Sequence, residues 1–173
     1  MRFILALFMV AAMAAPAFAE EEGPFSSKRF VWFADAGAWG YEQTQLPDGW
    51  NQVGFASRFG IGWVANPRLA LNIGSDQDWT NKAYQANVLG GFYVISKEES
   101  DIFRVAIWVG PSYLFGSGNE RFLENTHITW RIPIVAGYNI GGLAWVKLIP
   151  YYDMTHEEFG GLATIGLSDA FAH

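Results

Sequence analysis

The chain has 173 residues, 17 of them acidic and 11 basic, with a formal net charge of −6 at neutral pH. That acidic balance, without a basic cluster, argues against nucleic acid as a partner. The absence of cysteine excludes disulfides and a lipid anchor on Cys, while 17% aromatic residues and 19 glycines point to many strands joined by tight turns.

Residues 1–19 have the pattern of a cleaved secretory signal peptide. Arg2 precedes an apolar run from Ile4 to Ala14, and Ala17-Phe18-Ala19 is a small-x-small cleavage site followed by Glu20-Glu21-Glu22. The run falls short of the roughly 20 residues that a spanning helix needs. The expected organisation is therefore a signal peptide at 1–19, a short periplasmic segment at 20–27 and one barrel domain at 28–173.

From there the chain reads as eight segments of period-2 alternation. The first, Arg29 to Tyr41, alternates weakly. In Trp50 to Ala65 one phase holds Val53, Phe55, Phe59, Ile61 and Trp63, and the other Gly54, Ala56, Arg58, Gly60 and Gly62. Asn66-Pro67 is a turn, and Arg68 to Trp79 follows with Leu69, Leu71 and Ile73 opposing Ala70, Asn72, Gly74 and Asp76. Tyr84 to Val94, Phe103 to Phe115, Ile128 to Tyr138 and Ala144 to Met154 continue the alternation. Phe159 to Ser168 closes the series weakly.

The polar phase decides the class. It carries Asp35, Arg58, Asp76, Arg104, Arg131, Lys147 and Asp153 among glycines and alanines, while the apolar phase carries almost no charge. Small residues and paired charges suit the inside of an eight-stranded barrel, where there is just room for side chains. The apolar phase then faces lipid, where a sheet must close on itself because no water satisfies its edges. The expected fold is an all-β, closed, antiparallel, up-and-down transmembrane barrel of eight strands in the cell outer membrane.

Connections agree with the expected asymmetry of long outer loops and short periplasmic turns. Glu42 to Gly49 and Gly116 to Thr126 are long, whereas Asn66-Pro67 and Gly141-Gly142 are tight. Aromatics on the apolar phase form two sets. Trp32, Trp63, Phe92, Phe103 and Tyr138 lie towards the periplasmic interface, and Trp79, Tyr84, Tyr113, Phe115, Trp130, Tyr152 and Phe159 towards the outer one. Phe171 lies near the C-terminus, where many such barrels carry an assembly-promoting aromatic.

The sequence has no Ser nucleophile motif, metal-spaced His pair or phosphate-binding Gly loop, so no cofactor and no metal are expected. His127-Ile128-Thr129 is the one place that puts a His and a hydroxyl on one strand face, the pattern of a base beside a weak nucleophile. At an interface such residues are more often simply solvated. The same holds for His156-Glu157-Glu158 in the last loop. Pro111, Pro133 and Pro150 fall inside strands, where a missing N–H is normally avoided. They predict either bulges or local gaps between strands that admit a lipid chain sideways.

The runs Ile132-Pro133-Ile134-Val135-Ala136-Gly137-Tyr138 and Leu148-Ile149-Pro150-Tyr151-Tyr152, with Ser75-Asp76-Gln77-Asp78-Trp79, resemble the outer-membrane lipid A palmitoyltransferase family over about half the chain. The resemblance implies a barrel with a lipid-admitting lumen. It carries over only Asp76 of the catalytic set, because the first strand has no His and Gln77 replaces the family's Ser. The small non-enzymatic barrels of the OmpX and OmpW types fit equally.

The leading expectation is a structural or ligand-binding barrel without catalysis, monomeric, in contact with outer-membrane lipid, lipopolysaccharide and the barrel assembly machinery. A lipid A acyltransferase or deacylase using Asp76 and His127 is the alternative. It predicts an apolar slot bounded by Trp108, Leu114, Val135 and Ile149. A soluble periplasmic lipid-binding barrel is the third reading.

Overall fold

The structure, a computed structural model, describes residues 30–42, 49–96, 98–119, 127–142 and 144–168. The signal peptide, the segment at 20–27, Phe171 and most of the two long loops lie outside the described residues.

Eight strands follow one another: β1 (Phe30–Tyr41), β2 (Val53–Asn66), β3 (Leu69–Asp78), β4 (Ala83–Ile95), β5 (Phe103–Phe115), β6 (Ile128–Asn139), β7 (Ala144–Asp153) and β8 (Glu158–Ser168). Each pairs antiparallel with the next, and β1 pairs with β8 from Phe33↔Ser168 to Tyr41↔Gly160, so the sheet closes. The only helical turn among the described residues is the short 3-10 segment Ser117–Asn119. The weak alternation of the first and last strands is explained at this seam. Glycine there lets the backbones approach: a Cβ on Gly37 would lie 2.0 Å from the Ala163 carbonyl.

The period-2 pattern sets the two faces, because successive side chains point to opposite sides. Outward positions are large and exposed, such as Phe55 at 56%, Ile61 at 60%, Leu148 at 58% and Phe159 at 64%. Inward positions are small, polar or enclosed, with Ala56, Ala106 and Trp145 at 0%. The arrangement is the inverse of a water-soluble barrel, whose outer apolar patches rarely exceed a few hundred Å².

One end of the barrel holds the start of β1, the end of β8 and the connections 67–68, 96–102 and 140–143; it is called the turn end below. Asn66 shapes its first turn by accepting the amides of Arg68 and Leu69 at 2.8 and 2.9 Å. Gly141 and Gly142 take φ of 131° and 71° in the last, a region that favours glycine. The opposite, loop end carries the two long loops and the turns at 79–82 and 154–157. The exposed aromatics Trp32, Trp63, Phe103 and Tyr138 lie towards the turn end, and Trp79, Tyr113, Phe115 and Phe159 towards the loop end.

At each of the three strand prolines the ladder is interrupted without a bulge. Between β4 and β5 the ladder skips Val88–Pro111 and Leu89–Gly110 and resumes in the same register. Between β5 and β6 it skips Trp108–Pro133 and Val109–Ile132, and between β6 and β7 it skips Ile134–Pro150 and Val135–Ile149, again without a shift. Each proline lacks one donor, and each breaks pairing on one side only, with the preceding strand. The register shifts lie elsewhere, at Val64/Asn66 and Tyr93/Ile95.

Candidate functional site

The lumen is the candidate site, and its centre is a connected chain of charges. Register puts Asp35 opposite Arg58, Arg58 opposite Asp76 and Asp76 opposite Gln85, a polar row crossing β1 to β4. Arg58 Nε donates to Asp76 Oδ1 at 2.7 Å. The second oxygen of Asp76 accepts from Gln85 Nε2 at 2.7 Å and Asn87 Nδ2 at 3.0 Å. Gln85 Oε1 in turn accepts from the Arg131 guanidinium, whose Nε reaches Asp153 Oδ2 at 3.2 Å. Thr129 donates its hydroxyl to Asp153 Oδ1, and the Thr155 and His156 amides donate to the same oxygen.

Lys147 completes the chain by donating to Asp35 Oδ1 at 2.7 Å. It reaches β1 from β7 past Gly166, where a Cβ would lie 2.5 Å from Asp35 Oδ1. Arg58 Nη1 stands 3.8 Å from Asp35 Oδ2, an ion-pair distance without a hydrogen bond, which leaves that oxygen without a donor. Three cations thus meet three carboxylates, and the buried charge is balanced.

Aromatic rings pack around this chain on its loop-end side. Arg131 lies over Tyr151 at 4.6 Å and Trp39 at 5.9 Å, and Trp39 Nε1 donates to the Tyr151 hydroxyl at 2.9 Å. Above them buried Asp78 accepts from the Tyr41 hydroxyl at 2.7 Å, Asn81 Nδ2 at 2.7 Å and the amides of Thr80 and Asn81. Among the described residues, these charges and rings share the loop-end half of the lumen.

The turn-end half contains a cavity of about 40 Å³. Val31, Phe33, Leu89, Tyr93, Trp108 and Val135 are among its walls, and Arg58 and Lys147 border it too. Both cations sit over the Phe33 ring, at 5.3 and 5.4 Å.

Six of the seven charges expected in the lumen, Asp35, Arg58, Asp76, Arg131, Lys147 and Asp153, join in the one chain. Arg104 is buried but separate, near the turn end, and donates to the Phe103 carbonyl at 3.2 Å. Gln85, on the same inward phase, links the two halves of the network and is not among the seven charges because it bears none. The expected apolar slot is drawn differently. Trp108 and Val135 border the cavity, whereas Leu114 and Ile149 are buried elsewhere in the wall and do not line it.

Asp76 and His127 are not brought together. Asp76 is taken up by Arg58, Gln85 and Asn87, whereas His127 is exposed and stacks on outward-facing Tyr113 at 5.7 Å. Thr129 points inward and donates to Asp153, so His127 and Thr129 do not share a face; His127 precedes the strand and is not bound by its alternation. His156 folds back on Asp153, with Nδ1 at 3.2 Å from Oδ1. In the 96–102 connection Arg68 pairs with Glu99. Glu99 is held below the usual carboxylate range, first by the Ser96 hydroxyl and amide and then by Arg68.

No family model matches the chain, and no curated protein sequence does. Solved structures match it by shape. The N-terminal β-barrel domain of OprF from Pseudomonas aeruginosa aligns with a TM-score of 0.54 at 10% identity, covering 83% of this chain and 99% of that one. A de novo designed transmembrane β-barrel gives 0.54 at 12%, covering 83% and 98%. The outer membrane protein OprG from Pseudomonas aeruginosa gives 0.51 at 8%, covering 80% and 94%. At such identities the likeness establishes the fold: a closed eight-stranded antiparallel barrel.

Proposed function

We propose that the chain is a small, non-enzymatic barrel of the bacterial outer membrane whose filled lumen serves binding or structure and not open passage. The observation that carries this reading is the inverted distribution of side chains. A continuous apolar outer surface needs lipid around it, and a balanced ionic chain inside needs an enclosed lumen. The ion-pair chain and the Trp39, Tyr151 and Arg131 side chains stand in the loop-end half of that lumen, which supports a reading other than an open pore.

Export through a signal peptide at 1–19, insertion by the barrel assembly machinery, a monomeric state and contact with lipopolysaccharide belong to the same proposal. The saturation of Asp76 by three donors speaks against its use as a base in lipid A acyl transfer.

The test is expression of the full chain in a Gram-negative host, followed by fractionation. The protein should be recovered with the outer membrane and need detergent for extraction, and unboiled samples should migrate as a folded, heat-modifiable band. Recovery in the periplasm without detergent would sink the proposal in favour of a soluble lipid-binding barrel. Lipid A from the same cells should match the empty-vector control by mass spectrometry. An added or lost acyl chain would contradict the non-enzymatic half of the reading.

A further inference from the structure

We infer that the outer face of the β3–β4 hairpin binds a phosphorylated glycolipid of the outer leaflet, with its phosphate at Lys82, its sugar on Trp79 and its acyl linkage at Gln77 and Ser75. The inference rests on the bilayer reading above and gives the proposed lipid contact one place on the barrel.

The argument starts from polar side chains on the lipid-facing phase. Among the described strand residues, the outward hydrogen-bonding side chains other than Tyr and Trp are Ser57, Ser75 and Gln77, with Asn66 at the turn-end bulge. The first three are neighbours, because register puts Ser57 opposite Gln77 and Phe59 opposite Ser75. Trp79 Nε1 donates to Ser57 Oγ at 2.8 Å, and Ser57 Oγ donates to Gln77 Oε1 at 2.9 Å. Gln77 Nε2 then reaches Ser75 Oγ at 3.5 Å. The donors run one way along this row. It ends with the second N–H of Gln77 and the hydroxyl hydrogen of Ser75, which have no acceptor among the described residues. Ser75 is only 9% exposed. Hydrocarbon supplies no water to such donors, so an acceptor on the lipid itself is called for.

Height selects the lipid group. Trp79 is 51% exposed at the loop end, where an indole marks the headgroup level. Gln77 lies two residues deeper, about 7 Å along the strand at ~3.4 Å per residue. Acyl ester and amide carbonyls, which accept hydrogen bonds, lie below the headgroup. Deeper still, Ile73 and Val88 stand opposite each other, both exposed, and give the acyl chains an apolar track.

Charge selects the hairpin. Lys82, in the turn above Trp79, is the one exposed Lys or Arg among the described residues of the loop end, whereas Glu42 and Glu157 are exposed acids elsewhere on the same rim. An anionic head is drawn to this turn and repelled from those positions. The rings between cation and carboxamide favour a sugar. Trp79 is held by Ser57 on one side and meets Tyr84 edge to face, with centroids 5.5 Å apart. A fixed, half-open ring offers a packing surface to the C–H face of a sugar, where a phospholipid has only flexible glycerol.

The experiment uses the full chain refolded into phosphatidylcholine nanodiscs, with ¹⁵N on the tryptophan and glutamine side chains. The probe is bisphosphorylated, hexa-acylated lipid A, added in rising fractions. The Trp79 indole and Gln77 carboxamide resonances should shift and saturate, while that of Trp32, outward at the opposite end, stays in place. Lys82→Glu should weaken binding by about tenfold and Gln77→Leu by about fivefold, the worth of a charged and a neutral hydrogen bond. Phosphatidylglycerol, anionic but without a sugar, should produce no saturating shift. The inference is overturned if lipid A gives no saturating shift at Trp79 and Gln77, if both variants bind as wild type, or if phosphatidylglycerol matches lipid A. Shifts that follow protein concentration without lipid A overturn it in favour of a second copy of the chain. Heat-modifiable migration of the same samples reports the barrel separately. A folded, detergent-dependent barrel without binding defeats the site alone, whereas a chain soluble without detergent defeats the bilayer reading with it.

Discussion

Lys147→Met probes the lumen network most sharply. Lys147 and Asp35 have side chains 2% and 0% exposed and meet at 2.7 Å. Removing the ammonium leaves Asp35 with Arg58 at 3.8 Å and with Oδ2 already lacking a donor. Breaking one partner out of a buried pair costs about 3–5 kcal/mol. About 3 kcal/mol is a loss of roughly a hundredfold in the folding equilibrium. Asp35→Leu combined with Lys147→Met removes both charges and should recover most of the loss, because apolar replacement of a buried pair is often neutral or stabilising. Arg58→Met should cost less, roughly 1.5–3 kcal/mol, since Asp76 keeps Gln85 and Asn87. Arg131→Met should also destabilise, though mildly, because Asp153 keeps Thr129 and two backbone amides. The assay is reversible urea unfolding in phosphatidylcholine vesicles, followed by tryptophan fluorescence. A Lys147→Met midpoint equal to wild type, or a double variant no better than the single, would refute the reasoning.

Three further outcomes follow from particular contacts. Gly54→Ala places a Cβ 2.3 Å from Asp78 Oδ1, and the displaced carboxylate releases Asn81 and the 79–82 turn; a cost of about 1–3 kcal/mol is expected in the same unfolding assay. Pro133→Ala restores a donor at the β5–β6 gap, so the new amide at 133 should exchange slowly with deuterium; rapid exchange would show that something other than the missing N–H holds the strands apart. Glu99 is held below the usual carboxylate range by Ser96 and Arg68, so its contribution is present above its unfolded-state value and lost as pH falls through the lower folded one. The stability difference between wild type and Glu99→Gln should therefore shrink on acidification, and a difference that grows instead would reverse the assignment.

The strands and their closure were legible because alternation is a one-residue property: a side chain's face depends only on its parity. Parity also put Asp35, Arg58, Asp76 and Arg131 on the inner face. It carries no height, however, and height separates Arg104 from the rest. Arg104 lies opposite Gly137 and Arg131 opposite Gly110, so along β5 the two levels differ by about 20 Å at ~3.4 Å per residue. Register would have revealed the Asp35–Arg58–Asp76–Gln85 row, but register needs loop geometry that composition does not supply. The crossing of Lys147 to Asp35 skips a strand and depends on Gly166 having no side chain. Alternation alone puts His127 on the face of Thr129, but β6 begins at Ile128, so His127 is not bound by it.

The central claim is that lipid surrounds the large apolar phase while the charged phase is enclosed. The chain has no cysteine, so single cysteines can report each phase without background. Spin labels at Ile61, Ile73 and Ile134, all outward and exposed, should collide with oxygen dissolved in the bilayer and be shielded from a water-soluble nickel complex in refolded vesicles. Strong nickel collisions at those three positions would place water where lipid is expected and contradict the account.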